Sequence, residues 1–569
     1  MKLDRTLASL AILIVFGAIC LRLGHLPLLQ PDEGRNAEIA REMKESGAWL
    51  VPTYNDVAYL DKPAFYFKAV ALSLAVFGNS ETAARIPSAG FGIGLLLLTY
   101  AFCRRVYNAH CALLAVMVVV GMPLFLANAR TVIFDIALAF FTCAAIFAGF
   151  LAEESESGTR RKWYLIAAAA TGLATLVKGP VGFLIPILVH LVFNRIQGRK
   201  GVLRRLFAPW NILVFFGVTL PWFIGVCRAH PDFLYYGLVE ESFHRFTTPK
   251  FHRSEPFYFY LLIVMATFSP WSILLPEAIV ATWKKRWAVN PADRFCLVWS
   301  VVVVVFFSIS QSKLPGYILS VTVSAGILLA RIFAVAWANP EGRAARLVRR
   351  GMLAFGILCL LGAVMGAVGV ATRVEALARP LKITAEEAKL LGQNLVAPLA
   401  LMAVAGVLAL LIQARRNLRL SFICLALYPV LLVQLCVRPL ELVFNAQSAR
   451  QLAHAIPPLD AQTQLAFLNC YPSGLPFYLG RTATLITADG GELTSNYILW
   501  GLKTVRPWPP SLIPAVDFDQ WLAGCTTRVY LIADKGRREK LEQLATARSA
   551  KVQQLTPKYL GVLLPPGVP

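Results

Sequence analysis

The chain consists largely of long apolar runs separated by short charged blocks. A helix needs about 20 predominantly apolar residues to cross a bilayer, and such runs recur as far as residue 437. The apolar run at 64–78 is shorter and contains Lys68, so we predict a juxtamembrane helix there. The pattern predicts about thirteen membrane-spanning helices, at residues 7–25, 83–103, 109–128, 132–151, 163–178, 180–194, 209–227, 257–281, 294–310, 316–336, 351–371, 395–413 and 419–437.

Blocks rich in Lys and Arg follow every second predicted span, on the side where Met1 lies. Because cytoplasmic loops carry an excess of Lys and Arg, this alternation predicts a cytoplasmic N-terminus. It places loops 26–82, 228–256 and 372–394, and everything after residue 437, on the non-cytoplasmic face. The polar residues that are not topology signals are therefore concentrated on one face of the membrane.

The composition supports a polytopic α-helical membrane protein. Of 569 residues, 57% are hydrophobic and 15% are charged, whereas a soluble globular domain has about a quarter charged residues. The net charge of +23 would suggest a nucleic-acid partner in a soluble chain, but here the basic residues form topology signals. The sequence contains no Walker loop and no dinucleotide fingerprint, which argues against nucleotide-driven transport.

The pattern changes after residue 437. Three stretches, "TQLAFLNCYP", "PFYLGRTATLIT" and "RVYLIADKG", read as short strands, and "RREKLEQLATARSA" reads as an amphipathic helix. We therefore predict a transmembrane domain at 1–437, which includes the loop 26–82, and a small α/β domain at 438–569. Cys470 and Cys525 lie in the second domain and would allow one disulfide in an oxidising compartment.

The first outward loop is unusually rich in charge. Within it, residues 34–46 have Ile39, Ala40 and Met43 on one side and charged residues on the other, with Gly47 at the end. This predicts an amphipathic helix that lies in the plane of the membrane surface. Asp32 occupies the position of a helix N-cap, and capping alone would explain an acid there.

Three stretches of this region, "DEGRNAEIAREM", "WLVPTYNDVAYLDKPAFYF" and "ETAARIPSA", resemble the first outward loop of polyprenyl-phosphate-sugar glycosyltransferases with the GT-C fold. The resemblance is strongest to the bacterial aminoarabinose transferases of lipid A, relatives of the protein O-mannosyltransferases. It continues through a lone Asp135, "LVKGPVG", "EESFHRF" and "SKLPGY". The chain departs from the family at Asp61-Lys62-Pro63-Ala64, where Glu-Lys-Pro-Pro is usual, so the side chain at 61 has a shorter reach.

The resemblance implies a GT-C membrane enzyme with a small periplasmic C-terminal domain in the bacterial inner membrane. It would transfer 4-amino-4-deoxy-L-arabinose from undecaprenyl phosphate to a lipid A phosphate, and so give resistance to polymyxin and other cationic peptides. No nucleotide and no cofactor would be required. Because the acceptor phosphate is already ionised, positioning and charge stabilisation should matter more than a strong general base.

The family motifs place Asp32, Asp135 and Lys62 as catalytic candidates. Asp32 would either bind the 4-amino group of the sugar or act as a base. We expect Asp32 and Asp135 to face the same cavity. Asp135 lies in an apolar stretch, where an ionisable residue is either functional or paired, with Arg130 as the nearest partner in sequence.

The donor phosphate needs cations and hydrogen-bond donors. Each basic candidate could instead be a snorkelling residue at a span end. Two further acids of the first loop, Glu33 and Asp61, are additional candidates. The phosphate-binding candidates are Arg35, Lys62, Lys178, Arg245, Lys313 and Tyr317.

Histidines of the loop 228–256 suggest a metal site. Glu241, His244 and His252 are suitable ligand types for zinc, with Glu240 as an alternative carboxylate. The spacing matches no stringent motif, and polar loop histidines without a metal explain the same residues. Members of the resembled family differ in their use of metals.

Two other functions fit the same sequence. A transferase with another acceptor, such as a protein hydroxyl, would share every motif. A lipid transporter or flippase would also need many spans, but transporters place charges near the bilayer midplane and often contain inverted repeats. This chain shows no repeat, and its polar residues are collected at one face.

Overall fold

The computed structural model describes residues 2–248, 253–284, 290–381, 383–504 and 507–566. The chain forms two compact units. The first contains Met1–Leu23, Pro87–Ala229 and Leu238–Leu440, and the second contains Gly24–Ile86, His230–Gly237 and Glu441–Pro569. The sequence placed the loop 26–82 in the transmembrane domain, whereas in the structure these residues group with the C-terminal residues.

The first unit is built from helices, several of which extend past its boundaries. Its short helices include 3-10 turns at Trp271–Leu274, Pro315–Ile318 and Val374–Leu377. Two further helices, Phe16–Cys20 and Tyr236–His244, are π-helical. The α-helices are Lys2–Val15, Glu81–Val106, Ala109–Val120, Pro123–Ala129, Asp135–Glu153, Ser157–Lys178, Val181–Ile196, Val202–Leu206, Pro209–Ala229, Arg245–Thr247, Phe259–Thr267, Leu275–Trp283, Pro291–Ile309, Leu319–Ala338, Arg343–Arg373, Ala378–Leu381, Ala385–Ala414 and Leu418–Gln447.

Among the residues that the structure describes, eight helices are long and apolar enough to cross a membrane. Two bent pairs, Ala109–Val120 with Pro123–Ala129 and Phe259–Thr267 with Trp271–Trp283, raise the number to ten if each is one span. The chain is therefore a multi-pass membrane protein. Three predicted spans fall on the helices Thr6–Cys20, Ser157–Lys178 and Val181–Ile196, which do not pass the same test, so the count of thirteen stays a prediction.

The second unit contains a mixed sheet and a separate hairpin. The hairpin strands are β1 (Thr53–Tyr54) and β2 (Val57–Ala58). The sheet has the order β5-β4-β3-β6-β8-β7, in which β5, β4, β3 and β6 are parallel and the last two strands are antiparallel to their neighbours. Its strands are β3 (Gln464–Leu468), β4 (Thr484–Thr487), β5 (Leu512–Pro514), β6 (Val529–Asp534), β7 (Val552–Gln554) and β8 (Tyr559–Leu564).

The helices of the second unit surround this sheet and its hairpin. They are Asp32–Ser46, Phe65–Phe77, Phe233–Tyr235, Arg450–Ala455, Leu475–Leu479, Asn496–Thr504, Phe518–Gly524 and Arg538–Ala547, with 3-10 turns at Gly491–Leu493, Ala515–Asp517 and Lys535–Arg537. The predicted strands at "TQLAFL", "TATLIT" and "RVYLIAD" contain β3, β4 and β6, but "PFYL" belongs to a helix. The thiols of Cys470 and Cys525 are free.

Helix Asp32–Ser46 is buried along most of its length, so the prediction of a helix lying on the membrane surface is wrong. Its polar residues are buried because each has a charged or polar partner, as burial of an unpaired charge is costly. Arg41 binds both carboxylate oxygens of Glu38, at 2.6 and 2.7 Å, and also pairs with Glu45. An amphipathic pattern does not distinguish a solvated polar face from one covered by such partners.

Glu42, on the same helix, holds the β1–β2 hairpin. The turn residues Asn55 and Asp56 both have positive φ values, 56° and 59°, as a type I′ hairpin turn requires. The Glu42 carboxylate accepts hydrogen bonds from both backbone N–H groups and from the Thr53 hydroxyl, at 2.6 to 3.1 Å. The Asn55 side chain then accepts from the N–H of Ala483, next to β4, at 3.1 Å. The hairpin of the first loop is thus hydrogen-bonded to the residue that precedes β4.

The helix also makes a close backbone contact with the C-terminal residues of its unit. A Cβ atom at Gly34 would lie 2.7 Å from the backbone nitrogen and Cα of Gly474. Because the neighbour is backbone rather than a flexible side chain, it cannot turn away from an added methyl group.

We therefore expect Gly34→Ala to lower the free energy of unfolding of the purified protein by about 1–3 kcal/mol, a typical cost of overpacking. The apparent melting temperature in detergent checks this. Gly524→Ala is the matched control, because a Cβ at Gly524 meets nothing within 4 Å. Equal melting temperatures for the two variants would show that the Gly34 contact does not constrain the fold.

Candidate active site

In the second unit, Asp32 is the first residue of its helix rather than its cap. The N-cap residue is Pro31, and no side chain caps this end of the helix. The Asp32 carboxylate instead accepts a hydrogen bond from the guanidinium of Arg35, one turn further on, and its side chain is 55% exposed. The capping interpretation of Asp32 is therefore wrong, and its carboxylate remains accessible.

Arg35 is fixed on several sides. Its Nη1 donates to the carbonyl oxygen and to the hydroxyl of Thr494, at 3.0 and 2.8 Å, and its guanidinium lies 5.9 Å from the centre of the Tyr59 ring. Burial by itself lowers the pKa of Arg35, but Tyr59 and Asp32 raise it, and the net pKa is above its ordinary value. Arg35 is therefore a buried, permanently charged group that holds Asp32.

The contacts of Glu33 indicate a structural role. It forms a two-point ion pair with Arg85, at 2.8 and 2.9 Å, and both side chains are buried. The Glu33 carboxylate also accepts from the N–H of Leu29, and Arg85 donates to the carbonyl oxygens of Leu26 and Pro27. The pair fixes the chain that enters helix Asp32–Ser46.

Asp61 caps a helix that is distant in sequence. Its carboxylate accepts from the N–H groups of Asn496 and Tyr497, at 3.1 and 2.7 Å, at the start of helix Asn496–Thr504. It also accepts from the hydroxyl of Tyr236 at 2.6 Å. The next residue, Lys62, is largely buried and donates from Nζ to the carbonyl oxygen of Asp61 at 2.7 Å.

In the first unit, Asp135 and Lys178 form an ion pair. Asp135 begins helix Asp135–Glu153 and Lys178 ends the adjacent helix Ser157–Lys178, so the ends of two helices meet at one point. The Lys178 ammonium lies 4.5 Å from the ring centre of Tyr317, which adds a cation–π contact. Arg130, the partner that the sequence suggested, donates to the carbonyl oxygens of the 18–22 segment.

Gly316 sets the space around Asp135. A Cβ atom at this position would lie 2.8 Å from Oδ2 of Asp135, so the absence of a side chain lets the "SKLPGY" turn approach the carboxylate. Asp135, Lys178 and Tyr317, three residues predicted separately from the sequence, are thus in one cluster.

The remaining candidates of the first unit lie in two segments, the "SKLPGY" turn and residues 241–245. Lys313 is buried and its Nζ donates to the carbonyl oxygen of Glu255 at 2.8 Å. Arg245 forms an ion pair with Glu241, and His244 lies 3.4 Å from Glu240. The backbone links the two segments, because the N–H of Gln311 donates to the carbonyl oxygen of Phe246 at 2.9 Å.

The predicted metal ligands are not assembled in the part of the chain that the structure describes. Within that part, no group of three His, Cys, Asp or Glu side chains has the arrangement of a metal site. His252 lies outside the described residues. Glu241 has Arg245 as its partner, so the zinc site stays a prediction. Asp32 belongs to the second unit and Asp135 to the first, and their shared cavity likewise stays a prediction.

Comparison with known proteins gives concordant matches. Residues 61–224 match the family model described as dolichyl-phosphate-mannose-protein mannosyltransferase. The chain is 27% identical, over 92% of both chains, to the undecaprenyl phosphate-alpha-4-amino-4-deoxy-L-arabinose arabinosyl transferase of Serratia proteamaculans. It is 31% identical to the protein of the same name from Photorhabdus laumondii, over 53% of this chain and 55% of that protein.

A solved structure matches almost from end to end. The crystal structure of ArnT from Cupriavidus metallidurans bound to undecaprenyl phosphate superposes with a TM-score of 0.82 and 25% identity. The match covers 98% of this chain and 97% of that one. The chain is therefore a membrane glycosyltransferase of the GT-C fold. Within this class, the chain is similar to the polyprenyl-phosphate-sugar transferases that include the Serratia, Photorhabdus and Cupriavidus proteins, which confirms the resemblance drawn from its motifs.

A double-mutant cycle separates structural from catalytic roles of the Asp135–Lys178 pair. Lys178→Met leaves the largely buried Asp135 carboxylate without its cation, so we expect it to lower the free energy of unfolding by about 3 kcal/mol. Adding Asp135→Asn removes the unpaired charge and should restore most of this stability. We expect glycosyl transfer to stay lost in the double variant.

Thermal denaturation and transfer activity are measured on the same preparations. Lys389→Met is the control, since Lys389 forms an exposed pair with Glu375 in the same unit and exposed pairs contribute little. If transfer returned together with stability in the double variant, the pair would be structural only.

Proposed function

We propose that this protein transfers 4-amino-4-deoxy-L-arabinose from undecaprenyl phosphate to a phosphate group of lipid A. The reaction takes place at the periplasmic face of the bacterial inner membrane, with the N-terminus in the cytoplasm and the C-terminal residues in the periplasm. The added amine and the masked phosphate charge weaken the attraction of polymyxin and other cationic peptides for the cell surface.

One observation carries the proposal. The whole chain, rather than a single domain, has the fold of the Cupriavidus ArnT crystallised with undecaprenyl phosphate. The relatives named as undecaprenyl phosphate-aminoarabinose arabinosyl transferases support the same donor and sugar. Each unit contains a cation held by a carboxylate, Lys178 with Asp135 in the first and Arg35 with Asp32 in the second, and cations are the groups that bind a lipid phosphate.

The charge balance of the reaction explains why cations are needed. An oxygen of the acceptor phosphate attacks C1 of the sugar, and the bond between C1 and the carrier phosphate breaks with its electron pair left on the carrier. The carrier phosphate changes from a diester to a monoester and gains negative charge, whereas the acceptor phosphate loses it. No net proton transfer, nucleotide or cofactor is required. Groups that stabilise the carrier phosphate as its charge grows therefore lower the barrier.

The residues divide by role. The candidates for holding the carrier phosphate are Lys178, with Tyr317 beside it, Arg245 and Lys313 of the first unit, and Arg35 and Lys62 of the second. Asp32, whose carboxylate is accessible and oriented by Arg35, binds the ammonium at C4 of the sugar. Asp135 orients Lys178. A metal ion bound by Glu241, His244 and His252 is a further element of the proposal and would support the loop that carries Arg245.

Purified protein reconstituted with lipid A and undecaprenyl-phosphate-linked aminoarabinose tests the function. We expect mass spectrometry to find lipid A with one added aminoarabinose, and no such product with Lys178→Met. A host that lacks its own enzyme should show the same modification and should grow at higher polymyxin concentrations. Sugar that crosses the membrane without covalent transfer would favour a flippase, and transfer to a protein hydroxyl but not to lipid A would identify another acceptor.

The role of Asp32 is tested with two donors, one with the 4-amino group and one with a hydroxyl in its place. We expect Asp32→Asn to reduce kcat/KM about 10- to 100-fold for the amino donor, because a hydrogen bond between charged groups is lost. The hydroxyl donor should be affected much less, because it has no ammonium group for Asp32 to bind. Any disturbance of Arg35 would act on both donors alike and so cannot produce this difference. An equal reduction for both donors would contradict the amine-binding role.

A further inference from the structure

A short segment of the C-terminal residues, Thr494–Tyr497, contacts both charged motifs of the first loop. Arg35 of "DEGR" binds Thr494, which is 459 residues away in sequence. Asp61 of "LDKP" binds the N–H groups of Asn496 and Tyr497, about as far away. Two motifs that are separated in the first loop are thus fixed to adjacent residues of one segment.

Thr494 has an unusual backbone conformation. Its φ of 52° and ψ of 32° lie in the left-handed region, where a β-branched residue is a conformational outlier. Such strain persists only where surrounding contacts enforce it, and it is often found at functional sites. Here the turn Gly491–Leu493 precedes the residue, and the N–H of Thr494 donates to the carbonyl oxygen of Gly491 at 3.0 Å.

In this backbone conformation, the carbonyl oxygen and the hydroxyl of Thr494 both accept hydrogen bonds from Nη1 of Arg35. Arg35 is 9% exposed, and its Nε makes no hydrogen bond in the part of the chain that the structure describes. The two bonds from Nη1 to Thr494 and the bond from Nη2 to Asp32 therefore set the orientation of the guanidinium. Without the Thr494 hydroxyl, Arg35 loses one of these three bonds, and the Asp32 carboxylate loses a fixed partner.

The segment Thr494–Tyr497 also fixes the second charged motif, "LDKP", through Asp61. The Asp61 carboxylate accepts hydrogen bonds from Tyr236, Asn496 and Tyr497, so the backbone at 61–62 is held against the start of helix Asn496–Thr504. Lys62 extends from this backbone. The segment Thr494–Tyr497 thus sets the position of an acid, Asp32, and of a cation, Lys62, at the same time.

We infer that Thr494 is a positioning residue of the transferase, which holds Arg35 so that Asp32 meets the ammonium group of an amino-sugar phosphate donor. The inference rests on the proposed function. It gives the C-terminal residues an indirect part in donor recognition, through an interaction that no motif of the first loop reveals.

Three substitutions separate positioning from folding. Thr494→Gly removes the hydroxyl and also relieves the strain, because glycine adopts positive φ at no steric cost, so the variant should melt at or above the wild-type temperature. We expect its KM for the amino donor to rise about tenfold, the effect of one hydrogen bond to a charged group. Thr494→Val should show the same rise, and Thr494→Ser, which keeps the hydroxyl, should have a KM near that of the wild type.

The discrimination between the amino donor and its hydroxyl analogue is the decisive readout, because a merely structural role would not change it. The matched control is Thr546→Val, since Thr546 is exposed and its hydroxyl binds only its own helix, at Glu542. Wild-type discrimination and KM in Thr494→Gly would overturn the inference while the proposed function stands. A wild-type protein that transfers no aminoarabinose would overturn the proposed function and this inference together.

Discussion

The free-energy cost of buried charge governs the arrangement of both units. An ion taken out of water costs several kcal/mol even after relaxation, and the cost is offset only by a well-placed partner. The first loop buries Glu33, Glu38 and Arg41, and each has a partner of opposite charge at hydrogen-bond distance. At the ends of two helices, Asp135 and Lys178 meet the same requirement. The candidate site contains such pairs, so the removal of one member changes its stability as well as its geometry.

Local patterns predicted what local interactions determine. The apolar runs identified the long spans, and the Ile39, Ala40 and Met43 periodicity identified a helix that ends at Gly47, where the backbone indeed has φ of 69°. The same periodicity could not show that the polar face is covered, because the covering groups include Arg85 and residues more than 400 positions away. Asp135, Lys178 and Tyr317 were each predicted as candidates, but only the fold shows that they form one cluster.

The two first-loop aspartates show where a capping rule fails. Asp32 stands at the start of a helix, and the local rule assigned it the cap, yet its carboxylate binds Arg35. Asp61 precedes helix Phe65–Phe77, whose N-cap residue is Ala64, yet it caps helix Asn496–Thr504. Capping depends on free N–H groups at hydrogen-bond distance, and the chain can supply them from any helix that tertiary structure brings close. Thr494 was missed for the same reason, since nothing in "GGELTSNY" signals a distant arginine.

The pairing of Lys178 with the carboxylate of Asp135 bears directly on the proposed reaction. A lipid phosphate that approaches Lys178 must compete with Asp135 for the ammonium, so the donor diester, with one negative charge, gains less than an unpaired lysine would offer. As the sugar leaves, the carrier phosphate gains charge and competes more strongly. The interaction with Lys178 therefore increases from ground state to transition state, and only interactions of this kind accelerate the chemical step. In the proposed reaction, an acid beside Lys178, which opposes ground-state binding of the phosphate, thus favours turnover and product formation over tight retention of the donor.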